Sequence, residues 1–173
     1  MNATQTKLPA SGSTAANQND SVSRKYLTFH LAGEEYGIDI RMVREINGVS
    51  NITPVPAMPD YVKGVINLRG NVIPIIDLRL KFGMPEAEYN EETCIIVVDV
   101  EREVGVVVDS VSEVIDLKGA DIKPAPPMGA NVDNSYIVGM GSVGDSLKIL
   151  IDIEKALVGV HVECPDDEEA SEE

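Results

Sequence analysis

A mainly β protein made of two like units, each a small barrel of about five short strands, is what this sequence predicts. Two observations carry that expectation. Val and Ile together number 38 against 10 Leu, and aromatic residues make up only 4% of the 173; stiff β-branched side chains suit a pleated, half-buried surface better than a helix. The second half of the chain also repeats the first, in the same order. GIDIRMVREI (Gly37 to Ile46) lines up with GVVVDSVSEV (Gly105 to Val114) at an offset of 68, and GVINLRGNVIPIID (Gly64 to Asp77) with GMGSVGDSLKILID (Gly139 to Asp152) at an offset of 75. Two copies, rather than a long array, indicate two packed β-units instead of a solenoid. Small closed barrels suit them because they leave few free strand edges.

Taken in order, residues 1–23 are rich in Ser, Thr, Asn, Gln and Ala. They cannot bury enough surface to offset their ordering entropy and are expected to form a disordered arm. Tyr26–Leu31 and Tyr36–Ile40 alternate on either side of AGEE, which reads as a hairpin. Arg41–Ile46 follows, with Met42, Val43 and Ile46 spaced to share a face if the segment coils. Pro54, Pro56 and Pro59 then force an extended connection. In YVKGVINLRGNVIPIIDLR (Tyr61 to Arg79) two apolar runs flank Asn67-Leu68-Arg69-Gly70-Asn71, a hairpin with an arginine at its tip. Asp77 reads as the N-cap of a short helix with apolar groups at 78, 80 and 82, stopped by Gly83 and Pro85. Asp152 repeats that capped helix, and the seven-residue difference between the offsets is absorbed by the loop LKGADIKPAPPMGANVDNS. Residues 161–173 form an acidic tail, so the folded part is residues 24–160.

Composition excludes several kinds of partner. The formal net charge of −15 argues against nucleic acid and against an anionic membrane surface, although seven of the negative charges sit in the tail. Cys94 and Cys164 make neither a disulfide framework nor a metal spacing, and Cys94 reads as a small core side chain. No secretory signal opens the chain, and no apolar stretch approaches the ~18 residues needed to span a bilayer. A cytoplasmic protein, without membrane insertion, is expected.

Enzymatic constellations are sparse. His30 lies on an expected strand and His161 at the edge of the tail, and no phosphate loop, metal motif or nucleophile elbow occurs. No cofactor is expected. A two-lobed aspartic protease would pair carboxylates across the duplication. Here Asp109-Ser110 is followed by Val111 and aligns with Arg41, while Asp77 and Asp152 are explained by capping. A ligand-binding barrel would need polar groups converging on a cavity, and none stands out. What remains is a surface for partners. Val43, Ile46, Val111 and Val114 are either ordinary core, which periodicity alone favours, or the floor of a groove between barrels that receives a helix face. Glu45 and Glu113, inside the same apolar segments, need solvent or a cation.

The segments KGVINLRG (63–70) and VIPIIDLR (72–79) resemble the signature of the CheW family of chemotaxis coupling proteins, and further pieces extend the likeness. These are GEEYGIDI (33–40), VREI (43–46), GVVVD (105–109), IKPAP (122–126) and ILIDIEK (149–155), so that the resemblance covers residues 24–159. It implies two intertwined five-stranded SH3-like barrels with short helices, approximately 24–90 and 91–160, exchanging strands or helices. It implies no catalysis. It implies partners: the helical cytoplasmic tip of methyl-accepting chemoreceptors, and the regulatory domain of the histidine kinase CheA, within membrane-associated receptor arrays. Carried over residue by residue, the receptor groove falls on Val43, Glu45, Ile46, Val111 and Val114. The hairpin element important for receptor and kinase coupling falls on Gly64, Asn67, Leu68 and Arg69. Arg69 offers a planar, always-charged fork for a carboxylate, either Glu45 of this chain or an acidic group of a partner.

Overall fold

Eleven strands form among the described residues. The computed structural model describes residues 22–125, 135–158 and 160. The expected arm and acidic tail, and part of the Pro-rich loop, lie outside the described residues. In order, the elements are β1 (Ser23–Leu31), β2 (Glu34–Asp39), a 3-10 turn (Ile40–Met42), β3 (Val43–Gly48), β4 (Val62–Leu68), β5 (Asn71–Asp77), α1 (Leu78–Lys81), β6 (Cys94–Asp99) and β7 (Glu103–Val108). Then come β8 (Ser110–Lys118), a second 3-10 turn (Gly119–Asp121), β9 (Ile122–Lys123), β10 (Ile137–Val143), β11 (Ser146–Ile151) and α2 (Ile153–Ala156).

Two sheets result, and each takes strands from both halves of the chain. The first runs β3-β6-β7-β5-β4 and the second β8-β1-β2-β11-β10-β9. They are two intertwined SH3-like barrels: the opening hairpin β1–β2 completes the second, and β6–β7 completes the first. The duplication holds at the level of single pairs. Ile75 pairs with Gly105 in the parallel β5–β7 ladder, and at offsets of 75 and 68 Leu150 pairs with Gly37 in the parallel β11–β2 ladder. The two-residue β9, which pairs Lys123 with Met140, has its counterpart in the isolated bridge between Thr53 and Val65. Both short helices are capped as expected. Asp77 accepts from the Leu80 amide at 3.3 Å and Asp152 from the Lys155 amide at 3.2 Å.

Three apolar clusters follow from the pleat. Ile66, Ile73, Ile75, Ile95, Val97 and Val107 fill the first barrel. Tyr26, Ile115, Leu117 and Leu150 fill the second. The intervening residues turn the other way, so Leu27, Phe29, Ile38, Ile76, Ile96, Val98, Val106 and Ile151 meet in a shared core to which both barrels contribute. This explains the unbroken apolar runs of β5, β6 and β7: those strands are buried on both faces. Phe29, Tyr36, Phe82 and Tyr136 form a chain of ring contacts, closest between Phe82 and Tyr136 at 4.7 Å.

One expectation changes. Residues 41–46 coil for a single 3-10 turn, closed by the Asp39 carboxylate accepting from the Arg41 amide, and then run as β3 along β6. The ladder to β6 outweighs any helical spacing, because an isolated turn of helix is marginal and β-branched residues prefer the pleat. A bulge between Val43 and Glu45 produces the irregular spacing that resembled a coil. Among the described residues no helix is long and apolar enough to cross a membrane.

Gly64 takes φ +142°, and a Cβ there would run into the Thr53 carbonyl oxygen. That close approach is the bridge itself, with Thr53 N–H on Val65 O at 2.8 Å and Val65 N–H on Thr53 O at 2.9 Å. Gly64→Ala is therefore expected to destabilise the fold by ~2 kcal/mol or more. Urea denaturation checks it: the midpoint should fall with the slope unchanged.

Candidate partner-binding site

The hairpin between β4 and β5 closes with Leu68 paired to Asn71, leaving Arg69 and Gly70 as a two-residue turn. Both have positive φ, +53° and +88°, the geometry whose twist matches the flanking strands. Gly70 adopts it freely, whereas Arg69 gives up about 1 kcal/mol to be there. Asn67 steadies the turn by accepting from the Gly70 amide at 3.0 Å. Leu68 packs on the core of the first barrel.

From this turn the guanidinium of Arg69 reaches back to β3. Its Nη1 donates to Glu45 Oε2 at 2.9 Å, and Nη2 donates to the same oxygen. The other carboxylate oxygen accepts from Asn47 Nδ2 at 2.9 Å. Of the two partners considered for Arg69, the one within the chain is engaged. The Arg69 side chain remains 67% exposed, so the pair contributes at most ~1 kcal/mol to stability and chiefly orients the tip.

The apolar candidates divide into two equivalent pairs. Val43 on β3 and Val111 on β8 are half-buried against the shared core, one from each barrel. Ile46 and Val114, three residues further along the same strands, are 42% and 49% exposed. Both strands are outermost in their sheets. Glu113 directly precedes Val114 on β8 and is likewise exposed, and its backbone is pinned by the buried Thr28 hydroxyl, which donates to Glu113 O at 2.8 Å and accepts from Glu113 N–H at 3.1 Å. Gly64 is set back at the bridge to Thr53.

Two polar arrangements escaped the sequence reading. Arg79 on α1 forks onto Asp109, between β7 and β8, with Nε–Oδ1 at 2.7 Å and Nη2–Oδ2 at 2.6 Å, and also donates to Pro85 O. The Ala32 amide, from the β1–β2 turn, donates to the same Asp109 at 2.9 Å, so one carboxylate ties both barrels. Partial burial pushes the Asp109 carboxyl up, but the hydrogen bonds from Arg79 and Ala32 outweigh it and the net shift is downward. Second, Lys148 is buried and bonds Glu35 at 2.6 Å, with His30 of β1 on the far side of that carboxylate at 3.8 Å. A signal existed for Lys148, because at the offset of 75 it occupies the place of the buried Ile73. None was available for Arg79, whose partner stands 30 residues away.

Three further titratable groups have hydrogen-bonded partners. His30 is tied to Ser110 Oγ at 3.2 Å, and Asp77, buried, accepts from the Tyr89 hydroxyl at 2.8 Å. Desolvation, then that hydrogen bond, push the Tyr89 phenol up. No two of Asp77, Asp109 and Asp152 share a hydrogen bond, and among the described residues no three His, Cys, Asp or Glu side chains converge as a metal site requires.

Residues 25–160 match the family model described as the CheW-like domain. The chain is 45% identical over 139 residues to the chemotaxis protein CheW of Klebsiella aerogenes, covering 80% of this chain and 84% of that protein. It is 36% identical over 141 residues to the chemotaxis protein CheW of Rhizobium meliloti, covering 81% and 91%. Among solved structures it superposes on the scaffolding protein TtCheW from Thermoanaerobacter tengcongensis with a TM-score of 0.74 and 33% identity, covering 83% of this chain and 99% of that one.

Asp109 generates a pH prediction. Its native pKa lies below the unfolded value, so the stability it contributes is present above the ordinary carboxylate range and is lost as pH falls through the native pKa. Asp109→Asn should cost about 1–3 kcal/mol at pH 7, with the difference from the parent shrinking below about pH 4. Denaturation curves at pH 7, 5 and 3 check both statements.

Proposed function

The chain belongs to the CheW-like family, and from that premise we propose that it links the helical cytoplasmic tip of a transmembrane chemoreceptor to the regulatory domain of the histidine kinase CheA. Members of this family are non-catalytic adaptors, and the protein is a chemotaxis adaptor. In the proposed assignment Val43, Glu45, Ile46, Val111 and Val114 receive the receptor helix, while Gly64, Asn67, Leu68 and Arg69 transmit contact between receptor and kinase. It would work in the cytoplasm, recruited to receptor arrays, as two barrel subdomains between residues 24 and 160.

The observation that supports this reading best is the Arg69–Glu45 contact. An arginine held in the left-handed region at a hairpin tip, joined to a carboxylate on the outermost strand of the same barrel, costs backbone energy and returns little stability. Such an arrangement is kept for what it presents. Beside it, Val43 and Ile46 offer the apolar spacing a helix face would cover. A non-enzymatic role is also consistent with Asp109 being held by a structural arginine.

Calorimetric titration of the protein with the regulatory domain of a CheA from the same organism should give saturable one-to-one binding. Absence of both heat and complex at roughly 50 μM, well above a micromolar Kd, would leave only the fold assigned. Arg69→Ala should leave the melting temperature nearly unmoved while weakening assembly by ~1–3 kcal/mol. Val111→Asp should abolish receptor binding in a protein that stays folded by circular dichroism. Unfolding instead would make Val111 a core residue.

A further inference from the structure

The two barrels carry the same outer strand, and comparing them residue by residue exposes one unequal position. β3 pairs Ile46 with Ile96, and β8 pairs Val114 with Leu27, at the same place in the repeat. Glu45 and Glu113 are therefore equivalent carboxylates, each one residue before the exposed apolar group. Their surroundings differ. Glu45 is saturated, one oxygen by Arg69 and the other by Asn47. At the equivalent positions of the second barrel stand Gly144 and Ile115, the latter buried and so pointed away from solvent. Both donors are thus missing. Glu113 is exposed and, among the described residues, its carboxylate has neither an ion pair nor a hydrogen bond, while the nearby Lys25 is taken by Asp116. Its backbone is nonetheless held by the buried Thr28 hydroxyl in the bulge between Leu27 and Phe29.

We propose that Glu113 is the open half of an ion pair that a docking partner completes, and that the partner is an amphipathic helix carrying an arginine or lysine at the edge of the apolar stripe that covers Val111 and Val114. The first barrel supplies the template: at the same strand position a carboxylate takes a guanidinium fork, provided there by the chain's own hairpin tip. In the second barrel the tip is a glycine at φ +59°, so the cation has to arrive from outside. The pair polarises an otherwise duplicated surface. One end presents a carboxylate already neutralised, the other a carboxylate still free, and a helix with one basic flank docks in one direction only. This rests on the helix-receiving reading above and adds the sign and position of the charge that orients the helix.

The test uses the full chain and the purified cytoplasmic hairpin of a chemoreceptor from the same organism, with affinities measured at several salt concentrations. Glu113→Gln should weaken binding ~10-fold and Glu113→Lys further, with melting temperatures unchanged and a shallower salt dependence in both. A scan of the hairpin's Arg and Lys residues should find one whose replacement by Ala is non-additive with Glu113→Gln. If Glu113→Gln binds as the parent does while Val111→Asp abolishes binding, the groove stands and the ion pair is refuted. If neither substitution matters, the helix-receiving surface itself is wrong.

Discussion

Neither barrel is closed by a contiguous half of the chain, and the shared core depends on that exchange. β1 and β2 leave the N-terminal half to lie between β8 and β11, while β6 and β7 fill the equivalent place between β3 and β5. The exchanged hairpins bring the residues that meet in the middle: Leu27, Phe29 and Ile38 from one, Ile96, Val98 and Val106 from the other. Each fully buried isoleucine or phenylalanine there contributes about 1.5–3 kcal/mol, so separating the barrels would expose far more than a domain of this size has in net stability. The parallel ladders that seat the hairpins place a glycine where they pack most closely. A Cβ on Gly105 would meet Ile75 Cδ1 at 2.6 Å, and one on Gly37 would meet Leu150 Cδ2 at 3.0 Å.

With the middle strands buried on both faces, charge is pushed to the rims, and there it does two kinds of work. Where carboxylate and cation are both half-buried, as in Arg79–Asp109, they hold elements of the two barrels at fixed positions. Where one member is well exposed, as in Arg69–Glu45, the pair orients a loop and stays accessible to whatever docks. Lys148 is the exception among the described residues, a cation that is buried. Gly141 stands directly across the ladder from it, and Glu35 receives its ammonium, so the charge is compensated at 2.6 Å.

Much of this was legible in the residues. The offsets of 68 and 75 matched segments that the ladders treat alike, since Ile75 pairs with Gly105 as Leu150 pairs with Gly37, and both expected aspartate caps are formed. The Arg69–Glu45 contact could be named as one of two options, because an arginine and a carboxylate each needed a partner. Which option was realised required the turn geometry, a two-residue turn with positive φ at both Arg69 and Gly70. Segment 41–46 misled because a β-bulge and a helical turn both disturb strict alternation in a stretch this short. The Arg79–Asp109 fork was hidden for a different reason. It joins elements 30 residues apart, and periodicity carries no information on which side chains meet across such a gap.

The strand order has a consequence for the order of events during synthesis. The first barrel is complete once β7 has left the ribosome, because all five of its strands lie between Val43 and Val108. The hairpin β1–β2, made before any of them, belongs to the other sheet, and its neighbours β8 and β11 follow only after β7. For the interval between residues 39 and 151 two apolar strand faces and two unpaired edges therefore wait without their final partners. Contacts this far apart in sequence form late and slowly, and an exposed hairpin is a template for misassembly with neighbouring chains. The two-residue turn at Ala32–Gly33, with positive φ at both residues, and the charged residues Arg24 and Lys25 on the leading strand suit a segment that spends its early life unaccompanied.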